Sequence, residues 1–202
     1  MNVLYNRGME QNLDLRLPLP NELMVVFGLH AGGKRMLDLA ARLALYGQLY
    51  VLDCGNRSDM YHVAKELRLR THDPAMKLKN IRLSRAFTCY QVNALMRQVV
   101  PAPGIPVLVF DLLSTFLDES VRVRESVMLF TETMDRIQEI SRIAPVVISA
   151  KPLSPISGSR QMLLTELKRR ATHVFEEAAM QPPADTGLQH SLFGDGFFRG
   201  LR

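Results

Sequence analysis

Residues 23–35 read LMVVFGLHAGGKR. The first five are continuously apolar, as a strand covered on both faces is. Gly28-Leu29-His30-Ala31-Gly32-Gly33-Lys34 then spells G-x-x-x-x-G-K, and from 34 to 46 the apolar residues recur at helical spacing. Strand, glycine-rich turn and helix are the context in which this motif works. Gly28, Gly32 and Gly33 let backbone N–H groups wrap a phosphate, the helix adds its positive end, and Lys34 reaches the outer oxygens. The residue after the lysine departs from the motif. A Ser or Thr hydroxyl there would ligate Mg²⁺, whereas Arg35 has no lone pair to offer.

Outward from this stretch, β-type runs alternate with helical ones. Leu23–Gly28, Gln48–Asp53, Asn80–Leu83, Pro106–Asp111, Pro145–Ala150 and Thr172–Glu176 read as six strands, most of them apolar throughout. Helical periods fall at about 34–46, 58–69, 87–100, 120–143 and 160–170. In the fourth, Val123, Val127, Phe130, Met134, Ile137 and Ile140 form one apolar stripe. Strict alternation predicts an α/β fold, a mostly parallel sheet with helices on both faces. Residues 21–179 form this core. Residues 1–20, with Leu13, Leu15, Leu17 and Leu19 closed by Pro18 and Pro20, read as an added edge strand or an arm on a neighbour. From 180 to 202 prolines and glycines accumulate without a period, which predicts a flexible tail.

Composition agrees with a folded chain. Of 202 residues, 47% are hydrophobic and 22% charged, values of a globular protein and not of a disordered or fibrous one. No apolar run is long enough for a membrane helix, and Arg7, Glu10, Asp14 and Arg16 stand where a signal peptide would be apolar, so a cytoplasmic protein is expected. Cys54 and Cys89 lie in apolar segments without metal-ligand spacing, and buried thiols are expected.

A second acidic position supports the first motif. Val107–Asp111 is an apolar strand ending in a carboxylate, the Walker B arrangement, in which Asp111 would hold a metal through water.

With these residues in place, 21–179 resembles the core of the RecA/Rad-type recombinases and, more widely, the KaiC-like ATPases. The resemblance rests on Gly28–Lys34, on LYVLDCGN at 49–56, NIRLSRAFTCYQVNALM at 80–96, VLVFDLLSTF at 107–116, VVISAKP at 146–152 and LLTELKRRATHVFE at 163–176, all in the family's order. It implies ATP as ligand and a RecA-like sheet. The departures are as informative. The family's water-orienting glutamate falls two residues after Asp53, on Gly55; its γ-phosphate-sensing glutamine falls on Lys151; its metal-binding hydroxyl falls on Arg35. Lys34 and Asp111 remain. The resemblance therefore implies a degenerate site that binds ATP weakly, with Mg²⁺ doubtful and hydrolysis barely supported. The alternative is a working RecA/KaiC-type ATPase in which Asp53 serves as metal or water ligand.

Partners follow from the same comparison. ImuA-type mutagenesis accessory proteins and recombinase paralogues also keep the core and lose catalytic parts, so a role in DNA repair, recombination or damage tolerance is implied, beside a recombinase or a repair polymerase complex. The family's DNA-facing loops fall at about 113–122 and 151–160, where Lys151 and Arg160 flank a turn, and few cations predict weak DNA binding. Residues 57–97 carry nine Lys or Arg against three acids. That stretch is either a phosphate-facing surface or one that meets the acidic 111–139 region of a neighbouring subunit in a homo-oligomer. In the tail, Gln189-His190-Ser191-Leu192-Phe193 resembles the Q-x-x-L-F ligand of the bacterial sliding clamp, with Gln189, Leu192 and Phe193 as its contact residues.

Overall fold

The computed structural model describes residues 17–153 and 155–177. Six strands form one sheet: β1 (Leu23–Phe27), β2 (Leu49–Asp53), β3 (Ile81–Arg85), β4 (Val107–Phe110), β5 (Val146–Ala150) and β6 (His173–Glu176). All neighbours pair in parallel, in the order β3-β2-β4-β5-β1-β6. The helices are α1 (Gly33–Tyr46), α2 (Met60–Arg68), α3 (Pro74–Leu78), α4 (Cys89–Gln98), α5 (Val123–Ser141) and α6 (Gln161–Arg170). This is the α/β architecture expected from the alternation of apolar runs.

Strand alternation assigns the two faces. In β4, Val107 and Val109 point into one core with Val92, Met96, Phe130, Met134, Ile137 and Leu167 of α4, α5 and α6. Leu108 and Phe110 point into the other, with Met36, Ala40 and Ala44 of α1 and Val63 and Leu67 of α2. Such side chains have lost essentially all contact with water, the Val, Leu, Ile, Met and Phe among them contributing about 1.5–3 kcal/mol each relative to exposure. The buried alanines of α1 let that helix sit close over the sheet.

The order of strands explains which helix lies where. From β1 to β3 the chain steps one way across the sheet, and from β3 to β6 it steps back, filling the gap it had left. Right-handed crossovers put helices of opposite travel on opposite faces, as α1 and α2 against α4, α5 and α6 are. At two pairs of neighbouring strands, β1 with β5 and β2 with β4, the chain leaves the two strands in opposite directions across the sheet to helices on opposite faces. Crevices at the carboxyl ends of such pairs are where open α/β sheets bind ligands.

Residues 17–22 form a turn into β1, with Asn21 N–H donating to Ser141 C=O at 2.8 Å; residues 1–16 of the expected edge strand or arm lie outside the described part. One helix boundary differs from the sequence reading. The fourth helical period begins at Val123, not 120, because the Asp118 carboxylate accepts the Ser120 N–H and hydroxyl and holds a turn there. Among the described residues no helix is long and apolar enough to cross a membrane. Cys54 and Cys89 are both buried and free.

Candidate functional site at the carboxyl edge of the sheet

The turn after β1 is tightly built. Ala31 N–H donates to Gly28 C=O at 2.8 Å and Gly33 N–H to His30 C=O at 2.9 Å, while Ala31 and Gly32 both take left-handed φ. Gly32 is required twice over, by its φ of 63° and by Val26, whose Cγ1 would lie 2.7 Å from any Cβ there. Helix α1 then starts at Gly33, where the first N–H groups lack intrahelical partners. Lys34 is exposed at this start, and among the described residues it has no charged partner.

Arg35 is turned to the opposite side of the loop from Asp111. Its guanidinium lies 5.0 Å from the ring centroid of Phe175 on β6, and its Nε is 3.6 Å from Glu177 Oε1. Glu177, whose N–H extends the β1 ladder through Phe27 C=O, lies against Gly28 so closely that a Cβ there would be 2.2 Å from Oε2. A side chain at position 28 would have to displace that of Glu177.

Asp111 follows β4 with a left-handed φ of 51° and is buried. Its N–H donates to Ser149 Oγ at 3.0 Å. Its Oδ2 is met by two cations, Lys151 Nζ at 3.1 Å and Arg57 Nε at 3.5 Å. Burial pushes the Asp111 carboxyl above its ordinary range, Arg57 opposes that push, and the charge of Asp53 adds to it. Lys151 leaves β5 level with the Gly28–Lys34 loop, since Gly28 N–H donates to Ala150 C=O at 3.2 Å. The crevice between β1 and β5 therefore has Lys34 on one side and the Lys151–Asp111 pair on the other.

The crevice between β2 and β4 is organised by Asp53, which is fully buried. Its carboxylate accepts N–H bonds from Gly55 (3.3 Å), Arg57 (2.8 Å) and Ser58 (2.9 Å) and the Ser58 hydroxyl, and Arg85 Nε lies 3.5 Å away. These donors fold 53–58 back on itself and deliver Arg57 to Asp111. They also occupy the lone pairs that a metal or water ligand would need. Gly55 is pressed against Asp111: a Cβ there would lie 2.6 Å from Asp111 Cβ and Oδ2. Between the two acids, burial and then the charges of Asp53 and Asp111 push the Cys54 thiol far above its ordinary range, which leaves it unreactive.

This donor set does not fit Mg²⁺, which demands near-octahedral oxygen ligation at about 2.1 Å. Asp111 Oδ2 is buried and makes no hydrogen bond among the described residues, but the Lys151 ammonium and the Arg57 guanidinium already stand beside it, so a divalent cation there would meet two positive charges, and Arg35 carries no ligand atom.

Other expected contacts fall elsewhere. Arg160, read as flanking a DNA-facing turn, is instead buried, donating to Phe116 C=O at 2.7 Å and Val121 C=O at 2.5 Å. It clamps the loop after β4 to the start of α6. Four of the nine cations of the 57–97 stretch are matched within the chain: Arg97 pairs with Glu132 at 2.8 Å and Arg70 with Glu66 at 3.0 Å, beside Arg57 and Arg85 at the two aspartates. The acidic 111–139 region is thus met partly by the chain's own cations. Gln189, Leu192 and Phe193 lie outside the described residues.

Arg57, Arg85 and Glu177 were not singled out from sequence as site residues. They reach the site from loop and strand ends whose neighbours are set by strand order, and a single chain of letters carries no signal for that order. No protein-family model matches this chain, and no curated protein matches it.

Proposed function

We propose that the protein is a RecA-like accessory factor of DNA repair, recombination or damage tolerance, cytoplasmic, which holds ATP weakly and acts through protein partners instead of turnover. The observation that carries the reading is Asp111 itself. It stands where a Walker B carboxylate would, at the same sheet edge as the Gly28–Lys34 loop, yet it is matched by Lys151 and Arg57 and closed off by Gly55. A phosphate-binding frame with its metal ligand and water-orienting carboxylate replaced suits a core kept for binding. The enzyme reading needs a spare ligand, and the oxygens of Asp53 are taken up by the 53–58 loop.

The partners proposed are a recombinase or repair polymerase complex, with DNA a weak ligand, and the sliding clamp through the tail. If Gln189–Phe193 docks on the clamp, replacing Leu192 and Phe193 with Ala in the full chain removes the side chains that fill its pocket. The expected loss is about 2–4 kcal/mol, roughly 30- to 1000-fold in affinity for purified bacterial sliding clamp, with the melting temperature unchanged. A lowered melting temperature without a loss of affinity would mean that the two side chains cover the core instead.

A further inference from the structure

We propose that the crevice between β1 and β5 takes a nucleoside triphosphate without a divalent cation, with Lys151 and Arg57 supplying the positive charge that a metal would bring. The proposal rests on reading Gly28–Lys34 as a phosphate loop. Lys151 follows β5, which lies between β1 and β4, so its side chain stands between the loop and Asp111. Its ammonium has three donors, and one oxygen, Asp111 Oδ2 at 3.1 Å, is its charged partner among the described residues. Arg57 meets that same oxygen through Nε at 3.5 Å, which leaves its terminal amines for another acceptor.

A divalent ion entering here would compete with both cations for one buried carboxylate oxygen and would be repelled by each at a few ångström. A polyphosphate meets the opposite situation. Lys34 is exposed and without a charged partner among the described residues, and Lys151 and Arg57 can turn donors toward phosphate oxygens while keeping Asp111 neutralised. The negative charge nearest the loop, Glu177, is matched by Arg35 at 3.6 Å.

The test is equilibrium binding of ATP to the purified full chain, in EDTA and in millimolar Mg²⁺. The expected dissociation constants agree within about threefold. Lys34→Ala should weaken binding about tenfold or more in both buffers, and Lys151→Gln, the shorter neutral side chain of the recombinase cores, about tenfold in EDTA. Lys151→Met serves as a second variant, and the melting temperature of each shows whether it is folded. Tighter wild-type binding in Mg²⁺ by tenfold or more overturns the proposal while leaving the phosphate loop standing. Unchanged EDTA affinity in folded Lys151→Gln and Lys151→Met also overturns it. Absence of ATP binding in both buffers, or binding indifferent to Lys34→Ala, overturns the phosphate-loop reading and this proposal with it.

Discussion

Asp53→Ala is expected to cost about 3–5 kcal/mol of folding stability, the range for breaking a buried charge network. Asp53 is the single acceptor for the N–H groups of Gly55, Arg57 and Ser58 and for the Ser58 hydroxyl, and it faces Arg85. Alanine leaves those donors without a partner in a place where water enters poorly, and each orphan costs about 1–3 kcal/mol. For a domain of this size that means a melting temperature lower by roughly 6–20 °C. Asp53→Asn keeps the shape and one acceptor oxygen and should recover part of the loss. Urea titration of the three proteins gives the energies. If Asp53→Ala were nearly as stable as the wild type and instead altered ATP turnover, the carboxylate would be a ligand group and not the organiser of its loop.

The second large effect is expected at Gly55, where the resemblance to recombinase cores invites the restoration of a glutamate. Gly55→Glu should yield a destabilised protein and no ATPase, because any Cβ at this position comes to 2.6 Å from Asp111 Cβ and Oδ2. Even alanine forces the 53–58 loop off Asp111, at about 1–3 kcal/mol for overpacking, and glutamate adds a third carboxylate beside Asp53 and Asp111. Gly55→Ala combined with Asp111→Gly should cost less than the two changes summed, because glycine at 111 removes both the Cβ and the carboxylate that the new methyl group meets. Strict additivity in denaturation experiments would show that the two positions are not in contact.

How far the sequence carried this account depended on the range of each interaction. The central strands are legible because both faces of the sheet are covered, so β1 and β4 are apolar along their length and β2 and β5 nearly so, with Asp53 and Ser149 the exceptions. β3, at the sheet edge and half exposed, runs on to Ser84 and Arg85, polar residues that an apolar run does not include. The short helix α3 is below the length at which a period shows, although its Asp73 cap and Pro74 at the first turn are a local start signal. Strand order lies beyond pattern reading, since each βαβ unit looks alike whether its strands are neighbours or not. The site divides in the same way. Gly28–Lys34 and Asp111 could be singled out as candidates because each pattern is local to one strand end, and the structure brings both to the same sheet edge. That Arg35 faces Phe175 and Glu177, and that the match for Asp111 comes from Arg57 and Lys151, follows from bringing β6, β5 and the 53–58 loop to one edge.

The central claim is that this edge is a phosphate site without hydrolysis, and steady-state ATP turnover by the purified full chain in Mg²⁺ tests it most directly. Without metal ligation or a water-orienting carboxylate, turnover should lie several orders of magnitude below that of working enzymes of this class and be indistinguishable from a Lys34→Ala control. Turnover near one per second that disappears in the Lys34→Ala protein would contradict it.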